Sequence, residues 1–516
     1  MRKGLLIVLA VVLVAAMAAP AMAGTDINGF YRAKAWMSNF MNAGSATGGN
    51  PIIKVDAPTS AYVEQRLRLK FSSGEENVKA VAFFEIDFSA WGDAAGNTKN
   101  DAVYGTGNSS SGAGHVTGTS GNIDGTGAGR NTGGALGGDR VNLETKNVYL
   151  WFKLPNTSLD FTVGLQNRTD AYAGLLYGGS DQAGIFMTGK MEPVSYTLGW
   201  AKLYENNNYK TDDLTLYIAE ATFAPTKELK LGANFYFIQD DTQNEATPVG
   251  SFTLPYNATA GLLNKKRIYT PGINATFIAG PVTLSGFFLY QFGEIEFLNP
   301  GQPKVDIEGY AVDLRGDMNI GPGKAFLEGI YVSGSDGGGS PGEGYKSIFT
   351  LNDLNSSPGG NSFFGRTDMM ILLGNPDDIN TNSALIDAAA VPGSSVFGSC
   401  QTSPGNCGRG MWHIAAGYTQ KLGDKLTGKV GVGYLSATDA LKVLDNNRAG
   451  KDMGTEVNAS LNYNIMKGLD FGVYAAYAWL GDFYKPKNSS VLNPTTGQNV
   501  DPDDVYDIHF RLNYAF

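Results

Sequence analysis

Three histidines and two cysteines are the only imidazoles and thiols in this chain of 516 residues, and they limit its chemistry. His115 lies in a stretch of Gly, Ser, Thr and Asn, while His413 and His509 each sit within alternating apolar and polar residues. None is accompanied by a convincing Ser or Asp partner of the kind nucleophilic catalysis needs. Cys400 and Cys407 flank Pro404-Gly405-Asn406. Their spacing suits neither a zinc site nor haem attachment; in an oxidising compartment they would close a small disulfide loop. Asp377-Asp378 and Asp501, Asp503 and Asp504 could hold a divalent cation, although solvated loop charge is the better account of both. The glycines of 92–138 loosely match a phosphate loop, but no Lys-Ser/Thr follows them. No cofactor and no resident metal are expected.

Charge in rows is what remains. Lys and Arg number 39 against 49 Asp and Glu, so there is no basic surface of the sort nucleic acids require. Yet charges recur at every second position. Arg32 and Lys34 form one row, Glu64, Arg66, Arg68 and Lys70 a second, and Lys79, Glu85 and Asp87 a third. Asp313, Arg315 and Asp317, with Glu328 on the next segment, form an acidic-leaning row expected roughly opposite the basic ones, and His509 and Arg511 complete the set. Residues two apart share one face of a strand, so each row is a charged stripe backed by an apolar one. Around His509 and Arg511 the other face reads Tyr506, Ile508, Phe510, Leu512, Tyr514 and Phe516.

The elements that carry these stripes are strands almost throughout. Residues 1–23 are the exception: Arg2 and Lys3 precede an apolar run and Ala21-Met22-Ala23, which reads as a cleaved export signal. Beyond it, residues 24–516 form a single domain with eighteen alternating segments, sixteen being the other count the pattern allows. Most are near the roughly 9–11 residues a tilted strand needs to cross a bilayer. The segments at 142–153 and 214–223 alternate too poorly for their faces to be assigned.

Short turns such as Gly280-Pro281 alternate with long connections, above all 89–141 and 335–410. Strands running toward the short turns end in Phe71, Phe152, Phe223, Phe277, Tyr418, Tyr463 and Phe516, a ring of aromatics at one level. These features predict an all-β fold, a transmembrane antiparallel barrel with short turns on one side and long loops on the other. At 16–18 strands such a barrel is too wide for side chains to fill and keeps an aqueous lumen. The charged stripes then face that lumen, because Arg or Lys on the lipid face would cost roughly 2–4 kcal/mol at mid-depth.

The export signal, the alternating strands and the aromatic last strand ending in Phe516 resemble the outer-membrane porins of Gram-negative bacteria. Tyr62-Val63-Glu64-Gln65-Arg66-Leu67-Arg68-Leu69 is similar to early strands of porins from anaerobic and metal-reducing species. The resemblance implies an outer-membrane location amid lipid and lipopolysaccharide, with a homotrimer as one assembly option. It also implies that Phe510, Leu512, Tyr514 and Phe516 are read by the barrel-assembly machinery. In that family the loop after the fifth strand folds inward, which points here to Arg168–Ala183 with Asp170, Tyr172, Tyr177 and Asp181. The family's acidic loop motif is not obvious in it. The 89–141 and 335–410 loops are long enough to enter the mouth instead, the ordinary expectation being that one or both lie on the surface.

The leading expectation is a passive, water-filled channel for small hydrophilic solutes or ions, leaning toward anions because of the basic rows. The alternative is a barrel sheathing multihaem cytochromes as part of an electron conduit. A membrane-embedded hydrolase ranks last.

Overall fold

The computed structural model describes residues 24–40, 52–53, 59–88, 91, 143–205, 211–243, 264–297, 301, 303–335, 344–351, 367–374, 385, 389–390, 409–439, 450–484 and 502–516. Eighteen long strands account for most of them. They are β1 (Thr25–Ser38), β2 (Ser60–Glu75), β3 (Val78–Phe88), β4 (Glu144–Lys153), β5 (Leu159–Arg168) and β6 (Ser180–Met191). There follow β7 (Val194–Tyr204), β8 (Leu214–Phe223), β9 (Leu229–Gln243), β10 (Asn264–Ala279), β11 (Val282–Phe297) and β12 (Val305–Ile320). The last six are β13 (Gly323–Val332), β14 (Met411–Lys421), β15 (Leu426–Ser436), β16 (Asp452–Met466), β17 (Leu469–Leu480) and β18 (Val505–Ala515).

Each strand pairs antiparallel with the next, and β18 returns to β1 through a register running from Phe30–Ala515 to Ser38–Asp507. The sheet therefore closes and no backbone edge is left to face hydrocarbon, where each unpaired group costs several kcal/mol. Gly29 and Phe516 exchange backbone hydrogen bonds of 3.0 and 3.1 Å at the foot of this seam. A side chain at Gly29 would collide with the Arg68 carbonyl, so only glycine fits there. The count is eighteen, and every second connection is a short turn, from 76–77 to 467–468.

Alternation decides which way each side chain points. Ile273 and Leu314 are 60 % and 64 % exposed, and Leu327, Val430, Leu461 and Leu512 are likewise bare on the outer face. In water such a surface would aggregate, whereas against lipid it removes apolar area from water as a core would. The two segments whose faces were unreadable fall into line: Val148, Leu150 and Tyr217 point outward, Asn147, Leu216 and Ile218 inward.

The expected lower ring is present, with Phe223, Phe277, Tyr463 and Phe516 exposed at one level. A second ring, which the sequence reading did not pick out, lies toward the long connections. Tyr217, Phe237, Tyr269 and Phe292 stack in series across β8–β11 at 5.5, 4.7 and 5.3 Å. Tyr310–Tyr331 and Trp412–Tyr434 continue it.

The buried apolar cluster lies inside the barrel and is built from connections rather than strands alone. Tyr172, Leu175, Leu176 and Tyr177 of the β5–β6 connection, Ile348 and Phe349, and Met369 to Leu373 all belong to it. Two segments of 335–410 take the inward placement rather than the surface one, because both carry apolar side chains that pack against inward-facing strand residues. Residues 1–23, Cys400, Cys407 and most of 89–141 lie outside the described residues.

Candidate channel wall and constriction

The basic rows converge as their spacing requires. On β1 and β2, Lys34 stands opposite Glu64 and Arg32 opposite Arg66; on β3, Glu85 stands opposite Arg68. The Glu85 carboxylate gathers three cations: Arg66 Nε at 3.1 Å, Arg68 Nε in a short ion pair, and Lys146 Nζ at 4.0 Å. Lys146 also reaches Asp181 at 2.8 Å. Asp181 is on β6 and not in the loop where it was expected, because that strand begins at Ser180. It receives amide hydrogens from Asn147 and Asn167 and binds three strands together. Asp87 belongs to β3, but its side chain lies outside the described set.

Height sorts this wall. In the upper half Lys34, Glu64, Asp507 and His509 are fully buried. Trp36 donates Nε1–H to Glu64 at 2.6 Å, and Lys34 Nζ lies 3.3 Å from the Trp36 ring centre. His509 does have a partner after all: Asp507 Oδ2 is 2.9 Å from its Nδ1, and Trp36 and Tyr474 sandwich its ring. Asp507 and His509 lie two apart on one strand face, and that spacing is the signal in the sequence that points to the pair. His413 Nδ1 faces the Tyr434 carbonyl at 2.7 Å. Lower down, Arg68 and Lys146 retain about a quarter of their side-chain exposure, and Arg511 pairs with Asp470 at 3.0 Å. Lys70 and Lys79 have no carboxylate at ion-pair distance among the described residues.

The acidic wall is more balanced than its residue types suggested. Arg315 holds Asp317 at 2.9 Å and Glu328 at 2.6 Å, and Lys324 adds a contact to Asp317 at 3.3 Å. Asp313 is buried on the same face of β12.

Across the lumen the inward segments are held by carboxylates and an amide acting as templates for loop backbone. Asp170 Oδ1 accepts N–H groups from Tyr172 and Gly174 at 2.6 and 3.0 Å; its Oδ2 accepts those of Leu176 and Tyr177, both at 2.6 Å. Burial pushes its carboxyl up to about 6 even against those four hydrogen bonds. Ala171 N–H donates to the Tyr236 hydroxyl, and Tyr172 packs on Tyr236 and Phe287. A side chain at Gly272 would strike the Tyr172 hydroxyl.

Gln291 on β11 reads both backbone groups of Phe349, accepting its N–H at 2.6 Å and donating to its carbonyl at 3.0 Å. Leu351 then donates to the Leu176 carbonyl at 2.9 Å, joining two connections into one plug. Glu456 on β16 accepts N–H groups from Met370, Ile371 and Leu372 at 2.8–2.9 Å, while Asn458 donates to the Asp368 carbonyl. Neither Gln291 nor Glu456 was marked beforehand. The cue was in the loop, where Met369-Met370-Ile371-Leu372-Leu373 is an apolar run with nothing local to bury it. The two plug segments rest on β8–β12 and on β14–β17, leaving the Arg-rich wall of β18 and β1–β5 across from them.

These features define a class: a transmembrane β-barrel with a lipid-facing exterior, a charged interior wall and inward loops. Solved structures of similar outline include Pseudomonas aeruginosa OccK8 (OprE), at 10 % identity and a TM-score of 0.47, covering 95 % of this chain and 98 % of that one. Acinetobacter baumannii OccAB4 is at 12 % identity and 0.47, covering 96 % and 99 %. The outer membrane channel DcaP of Acinetobacter baumannii is at 14 % identity and 0.40, covering 96 % and 98 %. The chain matches no described protein family and no curated protein sequence.

Proposed function

We propose that the chain forms an outer-membrane channel for passive diffusion of small hydrophilic solutes, leaning toward anions. The observation that carries this reading is the closed barrel whose apolar side faces out and whose charged rows face in. A solute would pass between the cation-rich wall and the plug, selected by width and by local field rather than by chemistry. Arg66, Arg68 and Lys146 face two carboxylates, Glu85 and Asp181, which leaves one positive charge in surplus at mid-wall, and such local surplus outweighs a negative total charge. The outward Phe510, Leu512, Tyr514 and Phe516 fit a signal for the barrel-assembly machinery, with lipid and lipopolysaccharide as surroundings and a homotrimer as the assembly to test.

Recording in planar bilayers across a single-salt gradient tests this directly. The reversal potential should favour the anion, and Arg66→Gln/Arg68→Gln should move it toward zero. A stable conductance with cation preference would refute the anion lean, and an unchanged reversal potential in the variant would refute the wall assignment. A sheath around cytochromes needs a clear bore, which the chain's own plug occupies; haem absorbance co-purifying with the barrel would reverse that ranking.

A further inference from the structure

Low on the charged wall, toward the short turns, lies a cavity of about 500 Å³ bordered by Asp26, Lys70, Lys79, Asn147, Trp151 and Asn167. Sites for small molecules usually measure about 300–1,000 Å³. Its chemistry differs from the rest of the wall. Arg66, Arg68, Lys146, Arg315 and Arg511 all lie against carboxylates, whereas Lys70 and Lys79 do not. With Asp26 as the acid of the cavity, the three charged groups leave one positive charge in surplus. Asn147 and Asn167 each give one amide hydrogen to Asp181, at 2.9 and 3.0 Å, and the other to the carbonyl of Lys146 or of Gly179, so their Oδ1 atoms are left as acceptors. An ionised carboxylate has no hydrogen to give those acceptors, but a hydroxyl does. Trp151 adds an indole on the same wall, suited to the C–H face of a ring.

We propose that this cavity is a transit site for a sugar acid: one carboxylate for the two lysines, hydroxyls for the amides, and a ring against Trp151. This rests on the channel reading and names its solute class. A neutral sugar would leave the lysines unmatched, and a short carboxylate would leave the amides and the indole unused.

The test uses the full chain in planar bilayers with glucuronate, glucose and acetate as probes, counting interruptions of the current. Glucuronate should interrupt it at a concentration at least about tenfold below glucose, the difference one charge-assisted hydrogen bond makes, and below acetate as well, through the hydroxyls and the ring that acetate lacks. Lys70→Gln/Lys79→Gln should raise that concentration at least about tenfold, the loss of the same kind of bond. Trp151→Ala should narrow the gap between glucuronate and acetate, while Lys467→Gln on the β16–β17 turn should change nothing. Equal interruption by all three solutes in a conducting channel would overturn the proposal, as would a glucuronate preference that survives the double variant. Absence of any conductance would overturn the channel reading instead. Calorimetric titration of glucuronate into the detergent-solubilised barrel then decides the cavity alone, with binding lost in a folded double variant as the supporting result and unaltered binding as the refuting one.

Discussion

Removing the Asp170 carboxylate should unseat the β5–β6 connection and widen the channel. In Asp170→Ala four buried backbone N–H groups lose their acceptors. Each orphaned donor costs about 1–3 kcal/mol, so the seated loop loses about 4–12 kcal/mol in total. One term offsets this. Burial lifts the Asp170 carboxyl from 3.8 to about 6, so seating the ionised group already costs roughly 3 kcal/mol at about 1.4 per unit, and alanine removes that cost. The balance still favours release, by about 1 kcal/mol at the least and several at the centre of the range.

The same shift fixes a pH dependence in the unmodified protein. A carboxyl raised by burial favours the seated loop when protonated, so seating is firmest below about pH 4 and weakens as pH rises through about 6. Single-channel recordings should show higher and noisier conductance in Asp170→Ala at neutral pH, and quieter current in the parent as pH falls from 7 toward 4. Heat-modified electrophoretic mobility verifies that the barrel is intact. An intact variant with the parent's conductance would refute the cage as the determinant of loop position.

Three further outcomes follow from the geometry. Glu456→Ala orphans the N–H groups of Met370, Ile371 and Leu372 and should release the second plug segment, raising conductance independently of Asp170→Ala; non-additive conductance in the double variant would show the two plugs to be one unit. Glu85→Gln leaves Arg66, Arg68 and Lys146 without their shared counter-charge, and a unit charge about 7 Å from a passing ion is worth roughly 0.6 kcal/mol in water, so the anion-to-cation permeability ratio should rise several-fold. Bi-ionic potentials measure it, and a fall would reverse the sign assigned to the wall. Deleting Phe516 removes its two backbone bonds to Gly29 and should lower the yield of heat-modifiable barrel, with an unaltered yield counting against a role in closure or assembly.

The barrel was legible because one constraint, apolar out and polar in, is written at every second position. Val457, Leu461 and Tyr463 against Glu456, Asn458 and Ser460 needed no tertiary knowledge. The plug was not legible in the same way. Glu456 looks like any other polar residue on an inner face, and only the loop that arrives from 85 positions away in the chain makes it a backbone template. Asp170 stood among the candidates, but its cage depends on Tyr172, Gly174, Leu176 and Tyr177 turning back upon it, and no spacing rule specifies that. Asp181 was displaced by a strand start a few residues earlier than its alternation suggested. Asp507 and His509, two apart on one strand face, are a pair the spacing alone does signal.

The two aromatic rings have a consequence for how the molecule sits. Tyr269 and Phe277 on β10 are eight residues apart; so are the exposed Trp479 and Phe471 on β17, where Phe471 stands opposite Tyr463 of the lower ring, and the spacing is roughly 26 Å along each strand at the usual rise. These are two equal gauges on well-separated staves of the cylinder. A float marked with matching waterlines at separate points of its circumference settles upright, and lipid of another thickness must stretch or swell to meet the marks.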